Sequence, residues 1–168
     1  MKLRHANIND LKILQYWDKQ PHIIETIPDT DWNWAFELKR KPEWREQLIA
    51  EINNKPIGFV QIIDPAIEET HYWGNIGANK RAIDIWIGEK QYLGKGYGNQ
   101  MMQLAIEKCF ANPLVDEILL DPLETNTKAI KFYEQLGFRF VEYRQFPDVK
   151  SPVYALKKQT WLNQIANN

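Results

Sequence analysis

The stretch Gln91-Tyr92-Leu93-Gly94-Lys95-Gly96-Tyr97-Gly98 lies between a β-rich run and a helical one, and its reading decides the rest. Three glycines at alternating positions remove the Cβ atoms from one side of a turn and permit positive φ. Backbone N–H groups can then converge on an anion, and the helix that begins near Gly96 adds the positive end of its dipole. The chemistry favoured is pyrophosphate binding. A dinucleotide fingerprint needs G-x-G-x-x-G after the first strand of a βαβ unit, whereas here G-x-G-x-G follows the fourth strand. A P-loop needs G-x-x-x-x-G-K-[ST], which this stretch lacks. A helix start that merely requires tight packing is the remaining alternative.

Outward from the turn, the flanks read as alternating elements. Immediately upstream, Arg81-Ala82-Ile83-Asp84-Ile85-Trp86-Ile87-Gly88 is a short strand closed by a glycine. Residues 64–80, with Pro65, Gly74, Gly77 and Asn79, read as a long connection. EQLIAEI (46–52) and IGFVQII (57–63) read as a β-hairpin joined by the four-residue loop Asn53-Asn54-Lys55-Pro56. Residues 20–43 are broken by Pro21, Pro28 and Pro42, which leaves only Trp32 to Lys39 helical. Asn7 or Asn9 caps a helix to about Lys19, with Leu11, Leu14 and Trp17 on one face, and residues 2–6 form an edge strand. Downstream, 96–111 suits a helix, 117–121 a strand, 126–136 a helix, and 138–146 and 153–157 two strands. The terminal WLNQIANN gives no decision on oligomeric state. A hairpin followed by alternating helices and strands predicts a mixed α/β sheet covered by helices.

The 168 residues fit one domain, 1–168, with a single core. With 21 Lys and Arg against 22 Asp and Glu, the net charge of −1 argues against a nucleic-acid partner held by a strong positive field. The single cysteine, Cys109, excludes an internal disulfide framework and reads as packing on the apolar face of its helix. His5, His22 and His71 show no ligand spacing, so no metal is expected. No apolar run reaches the roughly 20 residues of a membrane helix, and MKLRHANIND lacks a signal-peptide stretch. A soluble cytoplasmic protein without a membrane partner is therefore expected. Trp17, Trp32, Trp34 and Trp44 crowd the first third of the chain and read as core.

A second motif follows the glycine turn by about 28 residues: Asn126-Thr127-Lys128-Ala129-Ile130-Lys131-Phe132-Tyr133-Glu134-Gln135-Leu136-Gly137-Phe138. It opens on a helix-capping Asn and closes on a Gly-Phe stop. Asn126, Ile130 and Tyr133 lie near one helical face. Taken together, Q-x-x-G-x-G-x-G and N-x-x-A-x-x-x-Y-x-x-x-G-F resemble the GNAT superfamily of acyl-coenzyme A N-acyltransferases. The resemblance covers residues 80–140 by motif and the whole chain by order of elements. It implies a mostly antiparallel sheet of about six to seven strands, helices on both faces and a splayed fourth strand.

By the same resemblance, acetyl-CoA is the co-substrate. Gln91, Gly94, Lys95, Gly96, Tyr97 and Gly98 would hold its pyrophosphate, and the pantetheine arm would run along the fourth strand near Trp86 and Ile87. Asn126 would contact the pantetheine, and Tyr133 would be the general acid for the departing thiolate. A buried Tyr133 with an incidental hydrogen bond is the alternative.

The reaction needs an uncharged amine, so a base must take its proton. Asp84 is the leading candidate, because an unpaired carboxylate inside R-A-I-D-I-W-I-G is costly to bury. Alternation places it on the face of Trp86, opposite Ile83, Ile85 and Ile87. A salt bridge to Arg81 or another cation is the competing reading. Asp121 ends an apolar strand, where ligands of open α/β sheets bind; a turn-initiating Asp-Pro competes.

The run R-A-I-D-x(6)-Q-x-L-G-K-G-x-G, then D-P-x-x-x-N-x-x-A-I-x-x-Y-E-x-x-G-F, is similar to aminoglycoside 6'-N-acetyltransferases. That family implies Asp84 as base and Asp121 in substrate binding; Trp17 and His22-Ile23-Ile24-Glu25 are loosely similar too. Aminoglycosides are polycations, and an acidic cleft with aromatic faces suits them. Glu68, Glu69, Thr70, His71, Tyr72 and Trp73 have that character, as does Glu124. Of these, Glu69, Tyr72 and Trp73 are the expected substrate contacts. A solvated loop with an aromatic tucked into the core is the other reading. Rival functions are acetylation of a protein N-terminus, acylation of a siderophore precursor, and non-enzymatic acyl-CoA sensing. The chain is expected to work as a monomer or homodimer.

Overall fold

The computed structural model describes residues 1–27, 32–147 and 149–167. Its strands are β1 (Lys2–His5), β2 (Arg45–Ile52), β3 (Lys55–Ile63), β4 (Lys80–Ile87), β5 (Glu117–Leu120), β6 (Arg139–Gln145) and β7 (Lys150–Lys157). Its helices are α1 (Leu11–Trp17), α2 (Pro21–Ile24), α3 (Trp34–Glu37), α4 (Tyr97–Phe110), α5 (Thr127–Gln135) and α6 (Lys158–Ala166). The strand order is β1-β2-β3-β4-β5-β7-β6. β1 pairs with β2 antiparallel, as do β5 and β6 with β7, whereas β4 and β5 run parallel. The mixed α/β sheet expected from the sequence is present.

Packing divides the chain into two compact units. The first comprises Met1–Ile62 and Asp84–Ala105. Its core gathers Leu14, Trp17, Ile23, Trp34, Leu38, Ile49, Phe59 and Trp86, with Trp32 packed against them. Three of the four early tryptophans thus serve that core; Trp44 instead lies under the Arg45 guanidinium, 5.0 Å from its ring centre. Asn7 starts the helical segment by a capping box: its side chain accepts from Asn9 N, and its own N–H donates to Asp10 Oδ2 at 2.9 Å. Asp10 also holds Arg4, whose Nε donates to Glu51 Oε1 at 2.7 Å, so one guanidinium ties β1 to the helix start and to β2.

The second unit comprises Ile63–Ile83 and Ile106–Asn168. Trp73, Ala82, Leu119, Phe146, Val153 and Ala155 form its core. Cys109 is buried, as its helical position predicts. β4 begins in this unit and ends in the other, and its pairing with β5 runs over Lys80–Ala82 and Glu117–Leu119.

Several expected boundaries are corrected. The hairpin loop is the pair Asn53-Asn54, with φ of 50° and 61°, and not four residues. Two left-handed residues make the turn whose twist matches the flanking strands, and Asn tolerates that conformation. Pro56 therefore sits inside β3, near its start, where a missing N–H does little harm. Pro21 opens α2 rather than breaking a helix, since the first helical N–H has no partner in any case. Helix formation begins at Trp34 and not Trp32, α1 ends at Trp17 and not Lys19, and a 3-10 turn at Ile8–Asp10 precedes it. Pro28 lies outside the described residues. β7 starts at Lys150, three residues before the expected strand, with Pro152 accommodated in it. The C-terminal segment forms α6, which packs Trp161 on Phe110 at 5.2 Å and Gln164 against Gly137.

Candidate active site

β4 carries Asp84 in the first unit. Gln61 Nε2 on β3 donates to Asp84 Oδ2 at 2.9 Å, and Gln47 Nε2 on β2 donates to Gln61 Oε1 at 3.2 Å. Burial pushes the Asp84 carboxyl above its ordinary range, and the Gln61 bond opposes the push. Arg81, the cation considered for it, instead pairs with Asp64 at 2.8 Å. Trp86 is buried among Phe59, Trp32 and Trp34, with ring centres 4.6, 5.2 and 6.5 Å away. Ile87 is half-buried, and its carbonyl lies 3.0 Å from His22 Nε2. A carbonyl only accepts, so that nitrogen carries the proton.

The end of β4 is fitted to α1. A Cβ on Gly88 would come within 2.1 Å of the Trp17 ring, and Trp17 Nε1 donates to Glu89 Oε1 at 3.1 Å. The glycine turn follows. Gly94 and Gly96 adopt φ of +71° and +79°, with nothing within 4 Å of a Cβ built on either. These glycines are needed for backbone conformation and not for close packing. Gln91, Gly94, Lys95 and Gly96 are exposed, while Tyr97 and Gly98 are half-buried at the first turn of α4. Gln100 N donates to Gly96 O at 3.2 Å, so the N–H groups before it face away from any helical partner. An exposed, left-handed turn feeding a 14-residue helix fits an anionic group such as a pyrophosphate.

The second unit holds the other predicted residues. Tyr72 Oη donates to Asp121 Oδ2 at 2.7 Å, which brings the acidic aromatic loop to the end of β5. The Tyr72 ring stacks on Phe146 at 4.5 Å. Glu68 is buried and accepts from Thr70 N and Tyr72 N at 2.7 and 3.0 Å, so it shapes the loop from within. Glu69 is exposed. Trp73 is only 3% exposed and sits in the core, the placement its competing reading describes. A cavity of about 760 Å³ is lined by His71, Tyr72, Gly74, Glu142, Tyr143 and Arg144, among others. Asn126 caps α5, its Oδ1 accepting from Ala129 N at 3.1 Å, which leaves its amide N–H groups for another partner. Tyr133 is half-buried on α5, with its ring 6.1 Å from Phe138.

Thus Asp84, Trp86, Ile87 and Gln91–Gly98 belong to the first unit, and Asn126, Tyr133, Asp121, Glu69, Tyr72 and Trp73 to the second. Sequence reasoning passed over Gln61, Gln47 and Tyr143. Tyr143 Oη donates to Glu124 Oε1 at 2.7 Å, a pairing set by how β6 lies on β7. Gln61 did carry a signal: it is a lone amide in the apolar strand IGFVQII. Among the described residues, no group of three or more His, Cys, Asp or Glu is placed to hold a metal ion. No helix among them is long and apolar enough to cross a membrane.

The family model for the acetyltransferase (GNAT) domain matches residues 7–146, and the chain belongs to that family. It is 29% identical over 146 residues to an aminoglycoside N(6')-acetyltransferase type 1 of Klebsiella pneumoniae, covering 81% of this chain and 72% of the relative. It is 24% identical over 172 residues to the lysine N-acyltransferase MbtK of Mycolicibacterium paratuberculosis, covering 94% and 74%. The crystal structure of aminoglycoside acetyltransferase AAC(6')-Ib in complex with coenzyme A and kanamycin matches with a TM-score of 0.87, 26% identity and 98% of both chains covered.

Proposed function

We propose that residues 1–168 act as one acetyl-CoA-dependent N-acetyltransferase domain. Its acceptor is a primary amine of a small polycation, and an aminoglycoside 6'-amine is the first candidate. The observation that carries this reading is Asp84: a half-buried carboxylate on β4, hydrogen-bonded to a neutral amide and not engaged by Arg81. A group held in that way attracts an ammonium and accepts its proton.

When bound, acetyl-CoA supplies the activated acetyl thioester. The turn Gln91–Gly98 holds its pyrophosphate by main-chain N–H groups, assisted by the N-terminus of α4. The end of β4 at Trp86 and Ile87 and the free amide N–H groups of Asn126 take the pantetheine. Asp84 removes the proton from the acceptor ammonium, which frees the nitrogen lone pair for attack on the thioester carbonyl. Tyr133 Oη returns a proton to the departing sulfur. Tyr72, Asp121, Tyr143 and Glu124 present phenol rings and carboxylates to the remaining ammonium groups and sugar faces. The aminoglycoside acetyltransferases similar to this chain support that choice of acceptor.

The test is a thiol-release assay with acetyl-CoA against kanamycin, tobramycin, peptide N-termini, free lysine and simple polyamines. Turnover on kanamycin is expected, falling by about a hundredfold or more in Asp84→Asn and less steeply in Tyr133→Phe. Turnover confined to peptides or lysine would overturn the acceptor while keeping the chemistry. Binding of acetyl-CoA without turnover on any amine would make the protein a sensor.

A further inference from the structure

Three side chains on β2, β3 and β4 form a chain of hydrogen bonds in the first unit: Gln47 Nε2 to Gln61 Oε1, and Gln61 Nε2 to Asp84 Oδ2, at 3.2 and 2.9 Å. Gln61 is 5% exposed and lies between the buried Val60 and Ile62. Core packing alone gives no reason for an amide there, since burying one costs free energy unless both of its ends are bonded. Both ends are bonded.

We propose that Gln61 is the positioning residue of the Asp84 carboxylate and that Gln47 supports the Gln61 amide in the orientation the carboxylate requires. The inference rests on the reading of Asp84 as base.

A carboxylate only accepts, so Gln61 must turn its NH2 group toward Asp84 and its oxygen away. The reverse orientation would set oxygen against carboxylate and NH2 against the Gln47 NH2. Gln47 donates to Gln61 Oε1 and so satisfies the end of the amide that faces away from Asp84. Oδ2 of Asp84 is thereby pinned, and Oδ1 is the oxygen presented to the amine. An NH2 donor also favours the charged carboxylate over the protonated one, which offsets part of the effect of burial. The other charged groups on β4 have partners of their own, Lys80 with Glu117 and Arg81 with Asp64, and of the titratable groups at its end Glu89 has Trp17 Nε1 and His22 the Ile87 carbonyl. Gln61 is therefore the side chain that opposes the effect of burial on Asp84.

The experiment follows the Asp84 carboxyl directly, by carbon-13 NMR of protein labelled at the aspartate side-chain carboxyls, with the resonance assigned by its loss in Asp84→Asn. Gln61→Leu is expected to raise the titration midpoint of Asp84 by about one unit, the effect of losing one hydrogen bond to a charged group. Gln47→Leu leaves Gln61 in place and should shift the midpoint the same way by less; it also serves if Gln61→Leu folds poorly. In steady-state kinetics, kcat/KM for the acceptor should fall about tenfold in Gln61→Leu while KM for acetyl-CoA stays unchanged. An unmoved midpoint in both variants would overturn the proposal. Full turnover in Asp84→Asn would instead overturn the base reading, and the carboxyl titration would still decide the positioning.

Discussion

A carboxyl group held above its ordinary value in the folded chain binds its proton more tightly there than in the unfolded chain. For Asp84 the ordinary value is 3.8, so the stability contributed by this residue falls as pH rises from that value through the raised one. Burial makes the charged form of this carboxyl the costly one for the fold. Asp84→Asn is therefore expected to raise the melting temperature at neutral pH by a few degrees, with the gain vanishing toward acid pH, while turnover collapses. Thermal melts across pH, run beside the thiol-release assay, check both halves. A variant that lost stability together with activity would show Asp84 to be a structural residue.

Among the elements, the glycine turn and the end of β4 hold glycines for two different reasons, and substitution separates them. Gly96→Ala puts a side chain at φ of +79° with open space around it. The expected stability loss is about 1–2 kcal/mol from backbone strain, with KM for acetyl-CoA raised several-fold. Gly88→Ala drives a methyl group into the Trp17 ring. The expected loss is about 1–3 kcal/mol, measured by urea denaturation, with the response spread over the packing of α1. The same elements show what a sequence can tell. The turn was legible because glycines at alternating positions before a helix serve few other purposes, and Asp84 because a carboxylate in an isoleucine run needs a reason. The loop is two residues and not four because Asn53 and Asn54 both take the left-handed conformation and Pro56 is tolerated near the start of β3. α6 is not legible because its apolar residues Trp161, Leu162 and Ile165 are too few to mark a face, and its contacts, Trp161 on Phe110 and Gln164 on Gly137, are set by the fold. Tyr143 and Glu124 could not be paired from sequence, because their meeting depends on the register of β6 on β7, which includes a bulge between Phe140 and Glu142.

For the molecule as a whole, acid stability depends on groups of opposite sign. Burial alone would raise Asp10, but Arg4 and the Asn7 N–H outweigh it and hold the carboxyl below its ordinary value. Arg4 and Lys2 hold Glu51 down as well. Depressed carboxyls contribute stability above their unfolded values and lose it as pH falls through the folded ones, the reverse of Asp84. Arg4→Leu leaves Asp10 and Glu51 buried without their shared cation. It should cost about 3 kcal/mol at neutral pH, with the difference shrinking in acid as both carboxyls take up protons. Denaturant titrations at neutral and acid pH measure it. A constant difference across pH would mean that the arginine matters only for packing.

The indoles beside Asp84 also carry an optical consequence. Trp86 lies 5.2 Å from Trp32 and is tilted by 46° to it, and it makes 53° with Trp34 at 6.5 Å. Chromophores so close and so inclined do not absorb independently: their excited states mix, and the mixture rotates polarised light as a couplet of opposite bands. The strand that bears the proposed base thus contains its own dye. Occupancy along it can be followed by circular dichroism on the unlabelled protein, in whatever buffer the acceptor requires.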